Sequence, residues 1–341
     1  GVLVLPASWG INRLAWGTVI GAGLHMAVQL PRLARLHGSY TRTLGLKMAE
    51  VREVARLMGP RIFGVAIVQI NFIVNTIIAL SLPEGSASAI SLAFALMLMP
   101  QAAIAQSLAI AAMPTFSAQA ALGKLDELRS SLAGALRGAL LLALPAAVGL
   151  ILLREPLIQF LYERGEFTSR STEMVAWALL WYAAGLPAHS VVEIVSRAFY
   201  ALHNTRTPVL IGAAAMSLNL AFSFLFSAWF ERIGWMPHGG LALANVLATT
   251  LEMLILLLLM RRRLNGLETR LIGGSMLRSC LSAGGMAAML VIWLRYTPAL
   301  PTWLTALGGI AMGGFVYILL LLLLQEPQAG RLASAIRRRI S

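Results

Sequence analysis

The chain has one cysteine in 341 residues, Cys280. That single thiol excludes a disulfide framework and any metal site built from several cysteines. Charge is scarce too: 12% of residues are charged and 58% are hydrophobic. A soluble domain is about a quarter charged and about half apolar. No water-soluble fold hides so much apolar surface, so the solvent for this chain is lipid. The pattern GxxxxGK[ST] is absent, which excludes ATP hydrolysis by a P-loop, and HExxH is absent as well. The histidines at 25, 37, 189, 203 and 238 include no pair at metal-ligand spacing. The chain opens on Gly1 with no Met and no basic leader, and is expected to be a fragment or a processed chain.

What is present is long apolar runs. A bilayer core needs about 20 apolar residues per helix. Nine stretches qualify: 10–31, 60–82, 88–116, 131–153, 172–200, 208–230, 239–260, 273–296 and 303–325. No segment sustains a period-two alternation, so strands are a poor alternative. The fold class is all-α: a polytopic membrane helix bundle of about nine spans. Glycines four apart (Gly17/Gly21, Gly134/Gly138, Gly309/Gly313) suit close helix packing in lipid.

Lys and Arg crowd alternate loops. One side carries Arg32, Arg35, Arg42, Lys47, Arg52, Arg56 and Arg61, then Lys124, Arg129, Arg137 and Arg206. It continues with Arg261, Arg262, Arg263, Arg270 and Arg278 and ends at Arg331, Arg337, Arg338 and Arg339. The other side carries Arg13, Arg154, Arg164, Arg170, Arg232 and Arg295. The crowded side, with the C-terminus, is expected in the cytoplasm. The net charge of +13 is then topological, and no nucleic-acid partner is expected.

Polar groups inside lipid are costly and invite a functional reading. Glu193 and Arg197 lie four apart on the fifth span, with the acid first, the favourable order. They read as an ion pair at the inner mouth of a cavity. Glu252, on the seventh span, has no local cation and should face the bundle interior. The second span reads "VQINFIVNT". Its Gln69, Asn71, Asn75 and Thr76 exceed what interhelical hydrogen bonding needs and favour a hydrated cavity. Asn219 with Ser223, and Thr249 with Thr250, add polar positions on the sixth and seventh spans. Pro100, Pro145 and Pro187 fall inside spans, as in the broken helices of transporters. The stretch "RAFYALHNTRTPV" reads as a tight cytoplasmic turn joining the fifth and sixth spans. Pro208 sits in the first turn of the next helix, and Phe199 and Tyr200 are expected to anchor the helix end at the interface. Glu155, Glu163 and Glu166, in the outer loop 154–171, are the carboxylates an enzyme would use; interleaved with Arg154 and Arg164, they read first as a solvated, charge-balanced loop.

Four stretches together, "PRIFGVAIVQINFIVNT", "LYERGEFTSRST", "RAFYALHNTRTP" and "GGLALANVLATTLEMLILLLLMRRRL", resemble the MurJ/MviN family. These are lipid II flippases of the multidrug/oligosaccharidyl-lipid/polysaccharide exporter superfamily. The resemblance implies fourteen helices: two six-helix lobes around a central cavity, then an extra pair. This chain would hold the last helix of the first lobe (1–31), a cytoplasmic linker (32–59) and a second lobe like that of MATE transporters (60–262). The extra pair (273–325) and a basic cytoplasmic tail (326–341) would follow. The implied activity is translocation of an undecaprenyl-linked cell-wall precursor across the bacterial inner membrane by alternating access. The protein would be a monomer with membrane lipids as its other partners, and not an enzyme. No cofactor is implied beyond Na⁺ or the membrane potential as driving force.

From their polarity within the spans, Gln69, Asn71, Asn75, Glu193, Arg197 and Glu252 are expected to line the substrate cavity. Family members often carry an Arg, and some a Glu, where this chain has Ala95 and Leu98, and often an Asp linked to cation binding where it has Asn75. The remaining oxygen ligands for a weak Na⁺ site are Asn75, Asn219 and Thr249. A flippase or exporter of another lipid-linked oligosaccharide is the neighbouring reading. A membrane-embedded enzyme acting on such lipids is the reading from a different class, and it requires Glu155, Glu163 and Glu166 to converge on a pocket.

Overall fold

The computed structural model describes residues 6–9, 12–35, 45, 48–298 and 300–328. Arg42, Lys47 and the tail arginines Arg331, Arg337, Arg338 and Arg339 lie outside the described residues. The chain divides into two units, Gly1–Met58 and Gly59–Ser341. The first holds α1 (Asn12–Arg35) and the start of α2 (Ala49–Ser81). The second holds the rest of α2 and all that follows.

After α2, Gly85 takes a left-handed φ of 91°, which only glycine adopts cheaply, and the chain reverses into α3 (Ser86–Gln101). A π-helical turn, Ala102–Gln106, leads straight into α4 (Ser107–Ala121). α5 (Leu125–Leu152) opens with Asp126 and Glu127 in its first turn, where negative charge suits the helix dipole. The short α6 (Arg154–Tyr162) follows, then α7 (Ser169–Ala184) and α8 (Leu186–Ala201). The bundle closes with α9 (Arg206–Arg232), α10 (His238–Arg263), α11 (Thr269–Tyr296) and α12 (Thr302–Leu323). Arg261, Arg262 and Arg263 occupy the last turn of α10, again the favourable end for their sign. Among the described residues there is no strand.

Among the described residues, six helical segments are long and apolar enough to cross a membrane: Ser86–Ala121, α5, α9, α10, α11 and α12. The α7–α8 pair, bent by 46°, makes a seventh, and Ala66–Ser81 is apolar but shorter. The expectation of nine is thus met for six or seven. Large apolar side chains stay exposed on these helices, for example Leu210 at 67% and Leu277 at 62%, as lipid-facing surface requires.

The third span, expected at 88–116, is a single 36-residue segment from Ser86 to Ala121, with a π turn, Ala102–Gln106, just after Pro100. Two expectations need correction. The fifth span is broken at Gly185, so Pro187 lies in the first turn of α8 rather than inside a helix; it is tolerated there because first-turn N–H groups have no intrahelical acceptor. Phe199 is 1% exposed within a core instead of anchoring an interface, because it lies on the α8 face that packs against Leu256 and Met260.

Two large apolar cores run through the bundle. One joins α3, α7, the second half of α5 and the start of α8 through Ala93, Met97, Ala147, Leu179 and Leu186. The other joins α4, α8, the first half of α5 and the end of α10 through Phe116, Leu132, Ile194, Phe199 and Met260. α11 and α12 pack on α5 through Leu141, Met286, Leu290 and Leu321. A Cβ on Gly240 would lie 2.5 Å from the Phe226 carbonyl carbon, so α9 and α10 touch backbone to backbone there. Gly309 and Gly313 make room on α12 for neighbouring side chains, where a Cβ would lie 2.8 Å from the Leu153 side chain and 3.3 Å from that of Leu290.

Glu326, expected in a solvated tail, is 2% exposed. Its carboxylate accepts hydrogen bonds from Ser275 Oγ (2.6 Å), Arg137 Nη2 (3.2 Å) and Arg278 Nη1 (3.2 Å). Gln328 Nε2 donates to the Gly134 carbonyl (3.1 Å) and Tyr317 Oη to the Leu141 carbonyl (2.6 Å). The end of α12 is therefore bound to both α5 and α11. Burial alone would push the Glu326 carboxyl up; the bonds from Ser275, Arg278 and Arg137, with the Arg137 charge, outweigh it and hold its pKa below the ordinary 4.5.

Candidate functional site: a polar layer within the bundle

Helices α2, α3, α8, α9 and α10 carry polar side chains on faces that an apolar bundle would fill with Leu and Val. Asn219, midway along α9, is 2% exposed, and Ser223, one turn on, is fully buried. α2 brings Asn71 and Asn75 against them. Asn71 Nδ2 donates to the Met216 carbonyl (2.7 Å) and to Asn219 Oδ1 (3.3 Å). Asn75 Nδ2 donates to Asn219 Oδ1 (2.9 Å), to the Asn71 carbonyl (3.0 Å) and to Asn71 Oδ1 (3.1 Å). Ser223 Oγ donates to Asn75 Oδ1 (2.8 Å). Ile78, Ala79 and Leu241 form an apolar seal beside this cluster.

A second group lies on α8. His189, Glu193 and Arg197 follow at four-residue steps, which keeps them on neighbouring faces. His189 Nε2 and Asn245 Oδ1 of α10 are 3.1 Å apart. Arg197 holds Glu193 Oε1 through Nη2 (2.9 Å) and Nε (3.3 Å), with side chains 34% and 25% exposed. Glu252, two turns beyond Asn245 on α10, has no hydrogen bond or ion pair among the described residues. It lies in the seam with α9, where its Oε1 would be 3.3 Å from a Cβ on Gly212. Gln101, at the foot of α3 beside the π turn, is 8% exposed and its Oε1 has no partner among the described residues.

The turn joining α8 to α9 is tied down on both sides. Asn204 Oδ1 accepts the Thr207 N–H (3.2 Å) and its Nδ2 donates to Thr207 Oγ1 (2.8 Å). His203 takes a positive φ of 55°, and Arg263 donates to the Leu202 carbonyl (3.2 Å).

The family model described as Lipid II flippase MurJ matches residues 1–306. The chain belongs to the MurJ family. It is 31% identical over 292 residues to a probable lipid II flippase MurJ of Bdellovibrio bacteriovorus, covering 84% of this chain and 54% of that one. It is 30% identical to a lipid II flippase MurJ of Burkholderia cenocepacia, covering 74% and 49%. The chain spans about half the length of these curated relatives. In fold it is similar to a lipid II flippase MurJ in an inward closed conformation, with a TM-score of 0.67, 24% identity and coverage of 83% and 55%. It is also similar to an outward-facing MATE multidrug transporter of the MOP superfamily, with a TM-score of 0.54, 16% identity and coverage of 79% and 64%. The chain is therefore a multi-pass membrane protein of this family.

Of the residues the sequence singled out, Asn71, Asn75 and Asn219 form one cluster and Glu193 with Arg197 another. Gln69 is exposed, and Thr76 satisfies itself on the Phe72 carbonyl (2.8 Å). Thr249 is buried on α10, but no hydrogen bond joins it to either amide. The donor set offers Na⁺ a poor fit as arranged: each amide oxygen of the cluster already faces an N–H or O–H, and no carboxylate stands among them. Ala95 is exposed and Leu98 half-buried on α3, and neither brings charge. The outer carboxylates are spread out. Glu155 sits 3.5 Å from its neighbour Arg154, Glu163 accepts from Thr172 Oγ1 (2.7 Å), and Glu166 is exposed. The His189–Asn245 contact and the unpaired Gln101 went unseen in the sequence; a Gln next to a proline within an apolar span was the available signal for the latter.

Proposed function

We propose that the whole protein is a flippase that carries a polyprenyl-linked peptidoglycan precursor, lipid II, across the bacterial cytoplasmic membrane, and that this chain supplies its second lobe and C-terminal helix pair. The observation that carries the reading is the family match over residues 1–306. A layer of amide, hydroxyl and ionic side chains inside a bundle otherwise fit for lipid supports it. Such a layer suits a transporter that shelters a polar head near the bilayer midplane while the tail stays in lipid.

In this reading the α8 face with Glu193 and Arg197, together with Glu252, borders the cavity between two lobes that rock in alternating access. Arg197 lies one turn from the end of α8, where its guanidinium reaches water or an anionic head while its stem stays in the bundle. The nine spans expected from the sequence, a monomeric state, a cytoplasmic C-terminus and membrane potential as driving force belong to the same proposal. The density of Arg around the α8–α9 turn and the end of α10 supports that orientation.

The test is translocation by the whole protein reconstituted in proteoliposomes with lipid II, read by an added enzyme that cleaves only outward-facing heads. Protection that decays only with the protein present supports the reading. Equal decay in empty vesicles, or transport of unrelated lipid-linked glycans with lipid II excluded, overturns it.

A further inference from the structure

We infer that the cluster of Asn71, Asn75, Asn219 and Ser223 is an ion-independent clasp, in which amide N–H groups fill the place a cation would take between α2 and α9. The inference concerns how the lobe holds together and stands whatever the transported lipid is.

The sense of the hydrogen bonds is fixed by backbone. Carbonyl oxygens only accept, so the Asn71 atom 2.7 Å from the Met216 carbonyl must be its nitrogen. By the same logic the Asn75 atom 3.0 Å from the Asn71 carbonyl is its nitrogen. Both nitrogens then also turn on Asn219 Oδ1, at 3.3 and 2.9 Å, which accepts two donors. Asn71 Oδ1 accepts from Asn75 Nδ2, and Asn75 Oδ1 accepts from Ser223 Oγ. Every amide oxygen is taken by a proton of the protein. The cluster is neutral, buried on the α9 side and sealed by Ile78, Ala79 and Leu241. A satisfied neutral network is stable in such surroundings, whereas an uncompensated cation there is costly. Among the described residues no group of three His, Cys, Asp or Glu side chains stands together to offset one.

The critical atom is Asn75 Nδ2. A carboxylate at this position has no proton to give. Its oxygen would face Asn219 Oδ1, the Asn71 carbonyl and Asn71 Oδ1, lone pair against lone pair. Those four oxygens would then converge on one point with a negative charge among them, which is the donor set a hard monovalent cation takes. Asn75→Asp is therefore expected to turn an ion-independent clasp into an Na⁺-dependent one.

The experiment measures thermal unfolding of the whole protein in detergent, in NaCl, KCl and choline chloride at equal ionic strength. The wild type is expected to unfold at the same temperature in all three salts. Asn75→Asp is expected to unfold at a lower temperature in choline and to recover saturably with NaCl. Asn75→Ala is expected to unfold lower than wild type in every salt. A saturable rise of the wild-type unfolding temperature with NaCl but not choline overturns the inference, and this reading needs no variant to fold. Equal unfolding of Asn75→Asp and wild type in choline overturns it as well. Neither readout depends on flipping activity, so a failure here is separable from a failure of the transport reading.

Discussion

Cutting Glu326 back to alanine removes the acceptor shared by α5, α11 and the end of α12. The carboxylate is fully buried and takes three donors, two of them arginines. Hydrogen bonds to a charged group contribute about 1.5–3 kcal/mol each, and breaking a buried pair by removing one partner costs about 3–5 kcal/mol. The structure lowers that figure. Arg278 is 41% exposed and its bond is screened by water, while Arg137, at 15%, stays mostly enclosed. The expected loss is thus about 2–4 kcal/mol, carried mainly by Arg137 and Ser275. For a unit of this size about 2 °C accompanies each kcal/mol, so the unfolding midpoint in detergent should fall by about 4–8 °C. Arg137→Ala together with Glu326→Ala should cost less than the two single changes added, since both remove the same bond. The same carboxyl makes the staple sensitive to acid. Its folded pKa lies below the unfolded value, so its stabilisation is present above the ordinary carboxyl range and is lost as pH falls through the folded pKa. The Glu326→Gln variant should flatten that acid limb. A midpoint shift below about 1 °C for Glu326→Ala, or strict additivity with Arg137→Ala, refutes the reasoning.

Three further outcomes are expected. Arg197→Ala should lower lipid II translocation more than Glu193→Ala with Arg197→Ala at matched expression, because the single change strands the Glu193 carboxylate; transport equal to wild type in both variants removes the pair from the mechanism. Gly240→Ala should destabilise by about 1–3 kcal/mol through overpacking against the Phe226 backbone, read as a lower unfolding midpoint, and an unchanged midpoint contradicts the close contact of α9 and α10. A reporter fused after Asn265 should be active on the cytoplasmic side, and an external signal inverts the whole topology because the spans alternate.

Much of the fold was legible because lipid simplifies the code: apolar runs of helical length, with cations at alternate ends, state the spans. The breaks were harder. Pro145 passes through α5 without ending it, and the bend that does occur is at Gly185, where α7 yields to α8. The π turn has no residue signature. At the site, four polar residues within eight pointed to α2, but the excess was read as a water-filled face. Which residues answered them depended on depth along α9, and Asn219 and Ser223 turned the cluster inward. Glu193 and Arg197 could be paired from spacing alone. His189 and Asn245 lie 56 residues apart and meet only once α8 and α10 are packed. Glu326 read as tail because nothing local marks it; its burial is decided by Arg137, 189 residues earlier, and Arg278, 48 earlier.

The π turn in the Ser86–Ala121 segment sets the register of everything beyond it. An α-helix advances about 100° per residue, and a π turn accommodates one residue more than the α-helical ladder allows. The extra residue is absorbed within Ala102–Gln106, so a one-residue deletion there would return the ladder to regular α-helix with α3 and α4 keeping their faces. The same deletion in the regular part of α3 has no such slack. It would turn α4 by about 100° relative to the start of the span and swing Ala109 and Phe116, both 0% exposed, from the second core toward lipid. Single-residue deletions are therefore tolerated far better at the π turn than elsewhere in the span.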